Sequence, residues 1–93
     1  MNNDHVQQIK NILINELGVD FPADKIGLED RFQAVLGLDS VGFIELRYQC
    51  EQAFAVTIKD EDFVPKNFTN ITSLVTLIEQ LQTTHAVSAA SLL

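Results

Sequence analysis

The apolar positions of this chain recur with helical periods. Val6, Ile9, Leu13 and Leu17 stand at i, i+3, i+7 and i+11, one stripe along a helix from Asp4 to Leu17. Asp4 can cap its start and Gly18 is a natural stop. A second helix, from Ser40 to about Phe54, carries two stripes. Phe43, Leu46, Cys50, Ala53 and Phe54 make a candidate core face, while Val41, Ile44 and Tyr48 fall on another. A helix in a small bundle needs one buried face, so the second stripe either packs under a loop or stays exposed as a docking surface. A last helix begins near Asn70 or Thr72, with Ile71, Leu74, Val75, Ile78 and Leu81 on one side.

The segments between helices carry their own pattern. Val19 to Leu38 is broken by Pro22 and punctuated by Gly27 and Gly37. It holds too many apolar residues (Phe21, Ile26, Leu28, Phe32, Val35, Leu36) for a free linker. It is expected to be a loop packed on the bundle, with at most a turn of helix, and loops of that length often serve function. Ala55-Val56-Thr57-Ile58 is β-branched but has no partner strand, so it reads as extended loop. Asp60 to Val64 is a candidate short helix, started by Asp60 and ended before Pro65. From Thr83 to Leu93 the chain is small, polar and unpatterned, which predicts a frayed tail or a link. The expectation is one domain over residues 1–82 and a flexible tail over 83–93. Its fold is all-α: a small bundle of three main helices plus one short helix, with a long structured loop between helices 1 and 2.

Composition narrows the function classes. A chain of 93 residues is one domain, which at this size buries about 60–65% of its unfolded surface and has little room for a deep pocket. The net charge of −7 argues against nucleic acid and anionic membranes, which need basic surface, and fits partners with basic faces. The single Cys50 excludes an internal disulfide, and its apolar neighbours predict a buried thiol. No signal peptide or membrane-spanning run is visible, so the cytoplasm is the expected compartment. Met1 and the short ends suggest a discrete protein, expected to be a monomer.

Most catalytic chemistries fail on the residues. A serine hydrolase needs Gly-x-Ser-x-Gly and a histidine base. Gly37 precedes Ser40 by three residues, and the histidines, His5 and His85, stand near the ends as candidate solvated residues. Cys/His metal ligation is excluded by composition. Asp60-Glu61-Asp62 lacks the spacing of a calcium loop and reads as a solvated acidic patch. No phosphate-binding Gly-rich loop is present, so no catalytic activity of its own is expected.

What remains is the stretch from Gly37 to Leu46. Asp39 is a good N-cap, and Ser40 then occupies the first helical position with its hydroxyl outward. A phosphate there would sit in the favourable field of a helix N-terminus. Asp39-Ser40-Val41 at the start of the second helix, Glu45-Leu46 one and a half turns later, the downstream Phe54 and Ile58 and the total length together resemble the acyl carrier protein family. That family's signature is an Asp-Ser-Leu triplet, and the resemblance covers most of the chain, to about Leu81. It implies a 4′-phosphopantetheine arm, derived from coenzyme A, in phosphodiester linkage to Ser40, with cargo held as a thioester on the arm's thiol. It also implies that Asp39, Val41, Ile44, Glu45 and Tyr48 are read by partner enzymes. Those would be a phosphopantetheinyl transferase, an acyl- or aminoacyl-loading enzyme, and a ketosynthase, acyltransferase or other pathway enzyme.

Within the family, Asp39 before the serine resembles fatty-acid and polyketide carriers. Peptidyl carriers usually show Gly-Gly-His-Ser or Gly-Gly-Asp-Ser, and Gly37-Leu38-Asp39 lacks the second glycine. Glu45-Leu46-Arg47 resembles polyketide carriers, and Gly42 stands where fatty-acid carriers are commonly acidic. A polyketide or mixed polyketide–peptide role is therefore expected. The alternatives are an aminoacyl or peptidyl carrier and, in a different class, an unmodified helical interaction domain docking through Val41, Ile44 and Tyr48.

Overall fold

In the computed structural model the structure describes residues 3–91, with side chains through Thr83. Three α-helices frame the fold: α1 (Asn3–Asn11), α2 (Ser40–Phe54) and α3 (Ile71–Ser91). No strand occurs among the described residues, and Ala55 to Ile58 is loop as expected. The all-α expectation holds.

Asp4 sits inside the first turn of α1 rather than ahead of it, so it is not the N-cap. The helix then widens into a π turn over Ile12–Glu16, with the Leu17 N–H reaching the Ile12 carbonyl at 3.0 Å. An extra residue per turn rotates everything after it. Ile12 joins Val6, Ile9 and Leu13 in the core, and Leu17, expected on that stripe, is only partly buried. Gly18 takes φ of +72°, a conformation that favours glycine, and ends the helix. His5, expected to be solvated, is instead half-buried. Its ring lies 4.9 Å from that of Phe54, and its Nε2 is 2.8 Å from Gln82 Oε1. It thereby links α1 to α2 and α3. The side chain of His85 lies outside the described residues.

The long connection after α1 is a packed loop with one 3₁₀ turn, Ala23–Lys25. Val19, Ile26, Phe32 and Leu38 are buried under the helices, whereas Phe21, Leu28 and Val35 stay exposed. The loop is stitched to the start of α3. The Phe32 N–H donates to the Thr69 carbonyl at 2.9 Å, and the Thr72 N–H donates to the Leu28 carbonyl at 3.2 Å. These bonds satisfy backbone groups that a loop would otherwise leave to water.

The short helix expected over Asp60–Val64 is not there. Residues 60–62 form a turn, and the helical turn is Pro65–Asn67, which begins at the proline instead of ending before it. A proline's fixed φ suits a first helical position, where its missing N–H costs nothing. Asn70 caps α3 through a reciprocal pair. Its Oδ1 accepts from the Ser73 N–H at 2.9 Å, and its own N–H donates to Ser73 Oγ at 3.1 Å. Ile71, Leu74, Val75, Leu77 and Ile78 then fill the core. The helix continues through Ser91, so the segment from Thr83 that was expected to lack structure has a helical backbone, its last two residues lying outside the described ones. Adding turns to a nucleated helix is inexpensive for alanine-containing sequence.

α2 ends on Ala55 at φ 54°, in the left-handed region, with its N–H bonded to the Glu51 carbonyl. An alanine there carries a steric cost of about 1–2 kcal/mol that glycine avoids. Ala55→Gly should therefore raise stability by about 1 kcal/mol, and the melting temperature by roughly 4–8 °C. A thermal melt that falls on substitution would show that the left-handed cap is not held in solution.

Candidate functional site

The site is built where the long loop becomes α2. Asp39, in extended conformation, accepts the Gly42 N–H on Oδ1 at 2.8 Å, the N-cap expected from the sequence. Gly37 takes φ of +77° and lets the chain turn into that cap. Gly42 has a packing reason as well: a Cβ there would lie 3.2 Å from Leu38 Cγ and 3.4 Å from Asp39 Oδ1. Leu38 is buried, so a side chain at position 42 would press on both the core and the cap.

Ser40 opens α2 and is exposed. Among the described residues its hydroxyl has no hydrogen-bond partner. Ser73 is the opposite case. Its Oγ donates to the Asn70 carbonyl at 3.0 Å and accepts from the N–H groups of Thr69 and Asn70.

Below Ser40, α2 presents two faces. Leu46 and Cys50 are fully buried and Phe54 nearly so, with Phe43 packed at the core edge. Ala53, expected on this face, is exposed, because no other element covers it at the last turn. Val41, Ile44 and Tyr48 are 73%, 60% and 53% exposed, so the second stripe does not pack under the loop. Glu45 sits between the faces, half-buried, and accepts from Gln49 Nε2 at 2.7 Å.

A third line of α2 holds the loop that follows it. Arg47 Nε donates to the Ile58 carbonyl at 3.0 Å, and Nη2 donates to the same oxygen. Nη2 also pairs with Asp60 Oδ1 at 3.0 Å, and the guanidinium lies 4.9 Å from the centre of the Phe63 ring. Glu51, one turn on, takes the Ile58 N–H on Oε2 at 2.8 Å. Both backbone groups of Ile58 are thus gripped by side chains four residues apart on one helix. Neither arginine nor glutamate was legible in this role, since the signal is a loop folding back in space. Asp60, expected to be part of a solvated acidic patch, is exposed but ion-paired.

These features can be set beside known proteins. A family model described as "Phosphopantetheine attachment site" matches residues 7–81. The chain is 35% identical over 75 residues to the acyl carrier protein of Phytoplasma australiense, covering 81% of this chain and 93% of that one. It is 32% identical over 80 residues to that of Picosynechococcus sp., covering 86% and 94%. With the acyl carrier protein of Bdellovibrio bacteriovorus it shares 40% over 55 residues, 59% of this chain and 68% of the relative. The chain belongs to the acyl carrier protein family.

Members of this family carry covalently attached 4′-phosphopantetheine, and the carrier's residues fit that group. The arm supplies a terminal thiol able to hold an acyl group. The helix that begins at Ser40 offers an exposed, unengaged hydroxyl beside N–H groups that favour an anion. No helix among the described residues is long and apolar enough to cross a membrane, and none of their acidic, histidine or cysteine side chains cluster to hold a metal ion.

The chain's own thiol, Cys50, is free and buried. Burial, with the neighbouring Glu51 charge adding to it, pushes Cys50 from the usual 9.0 up to about 12. Folded protein without the arm should label only slowly with a thiol reagent at pH 8, since thiolate is the reacting form. A raised folded pKa stabilises the fold fully below about pH 9 and loses that contribution as pH climbs towards 12. The urea midpoint of the native chain should therefore fall between pH 9 and 11 more steeply than that of Cys50→Ala. Equal slopes would mean that Cys50 is not held in its neutral form.

Proposed function

We propose that Ser40 is the attachment serine and that the chain ferries acyl intermediates between enzymes of a polyketide or mixed polyketide–peptide pathway in the cytoplasm. The observation that carries the assignment is the contrast between the two serines whose side chains are described. Ser40 is exposed and unengaged at the head of α2, while Ser73 is consumed in the cap of α3. Ser88 and Ser91 lie beyond the matched residues 7–81.

The stripe of Val41, Ile44 and Tyr48 is the surface that partners would read. It starts one residue after the arm and runs two turns down the same helix, so an enzyme seated on it has the arm at its edge. The contact is small, which suits a protein that must leave each partner after use. Asp39 and Glu45 flank it, and with the exposed Glu61 and the net charge of −7 they favour basic partners and salt-dependent association. The transferase that installs the arm, a loading enzyme and a ketosynthase or acyltransferase are the partners this surface would serve in turn. Support for the polyketide context comes from Glu45-Leu46-Arg47 and from the uncharged Gly42 on the docking helix.

Incubation with coenzyme A and a broad-specificity phosphopantetheinyl transferase, followed by intact-mass measurement, tests the assignment. One arm's mass should be gained by the native chain and none by Ser40→Ala, which should keep its fold. Modification of Ser40→Ala at another serine would overturn the assignment, and no modification of the native chain would favour an unmodified interaction domain.

A further inference from the structure

Beside the docking stripe, α2 borders an open groove of about 620 Å³. Phe43, Phe63 and Phe68 form its apolar wall, Arg31 and Gln33 line it from the long loop, and Lys66 lines it from the helical turn Pro65–Asn67. The fold holds this wall in place. Phe63 packs edge-on against Phe68 with ring centres 5.0 Å apart and lies under the Arg47 guanidinium. The bond from the Phe32 N–H to the Thr69 carbonyl brings Arg31 and Gln33 alongside the approach to α3.

The charge of the groove runs against that of the chain. The sequence has 13 acidic residues and six cations, yet no acidic residue lines the groove and two of the cations do. Among the described residues neither Arg31 nor Lys66 has an ion pair or a side-chain hydrogen bond. Two unneutralised cations over an aromatic floor suit a guest that is apolar along its length and anionic at one end. The groove is also within reach of the arm. Phe43 stands three residues after Ser40, about 4.5 Å along the helix axis, and shares its side of α2.

We propose that Arg31 and Lys66, which line this groove, select tethered cargo whose acyl group ends in a second carboxylate. The inference rests on attachment of the arm at Ser40. The arm's own phosphodiester is fixed at the head of α2, whereas the free carboxylate of a diacid bound through one thioester travels with the cargo to where the cations stand.

The test loads the chain, through the transferase, from glutaryl-coenzyme A, from pentanoyl-coenzyme A or from coenzyme A itself. The two acyl groups match in carbon number and differ at the end. Amide proton–nitrogen spectra are then compared. The glutaryl form should move the amides of Arg31, Lys66 and Phe68, and rising salt should shrink the shifts. Pentanoyl and empty arms should leave the Arg31 and Lys66 amides in place. In the Arg31→Gln/Lys66→Gln double variant the glutaryl shifts should vanish while the rest of the spectrum keeps its dispersion. Equal shifts from glutaryl and pentanoyl, or glutaryl shifts that survive in the double variant, would overturn the proposal. So would equal shifts from the empty arm, which would mean that the cations read the phosphodiester. Failure to gain mass in any loading sinks the Ser40 assignment and this inference with it. Mass gain with an unmoved groove sinks the inference alone.

Discussion

One helix has to serve the core and the solvent with apolar residues on both sides. α2 places Leu46, Cys50 and Phe54 in the interior and leaves Val41, Ile44 and Tyr48 outside. In a domain this small the core is limited, and removing the buried face of its central helix would leave little to hold the rest. The outer stripe contributes little to that core and leaves apolar surface in water. Exposed apolar side chains are common singly, but three at helical spacing next to an exposed serine form a surface with a direction. The head of α2 fixes that direction, since Asp39 closes the first turn and sets Ser40 at its rim.

Around α2 the irregular segments are tied down by particular bonds, which leaves few degrees of freedom at the site. The long loop is fastened to the start of α3 by the Phe32–Thr69 and Leu28–Thr72 backbone bonds. The segment after α2 is fastened by Arg47 and Glu51 gripping Ile58 from both sides of its peptide units. Charged partners make such bonds stronger than neutral ones, and both side chains are half-buried, where water competes less. Their consequence for function is that the aromatic wall at Phe63 stands at a fixed place beside the helix that carries Ser40.

The parts legible in the sequence were those governed by neighbours along the chain. Helical period and a single cap residue locate α2 from Ser40 to Phe54, and the same period separates its two stripes. Contacts between distant segments explain what was not legible. His5 looked like a terminal residue until α1, α2 and α3 came together around it. Arg47 looked like a marker of pathway, and in the fold it also holds a loop. Gly42 looked like a lost charge, and in the fold it also makes room for Leu38 beneath the cap. The π turn at Ile12–Glu16 shifts which apolar residues face inward, and no spacing rule anticipates an inserted phase. Pro65 was read as a stop, yet a proline begins a helix as readily as it ends one. The groove beside Phe43 was invisible because its lining comes from three separate segments.

The division of α2 into an inner and an outer face is the claim on which the rest of the account stands, and one paired substitution reaches it directly. Ile44→Glu and Leu46→Glu place the same charge two residues apart on opposite sides of the helix. The first should shift folding stability by less than about 0.5 kcal/mol, because an exposed change touches no packing. It should still slow arm transfer by the phosphopantetheinyl transferase. The second should unfold the domain, because a buried carboxylate there has no partner. Chemical denaturation of both variants, with the transfer rate measured on Ile44→Glu, gives the answer. Equal destabilisation by the two would place Ile44 in the core and contradict the account.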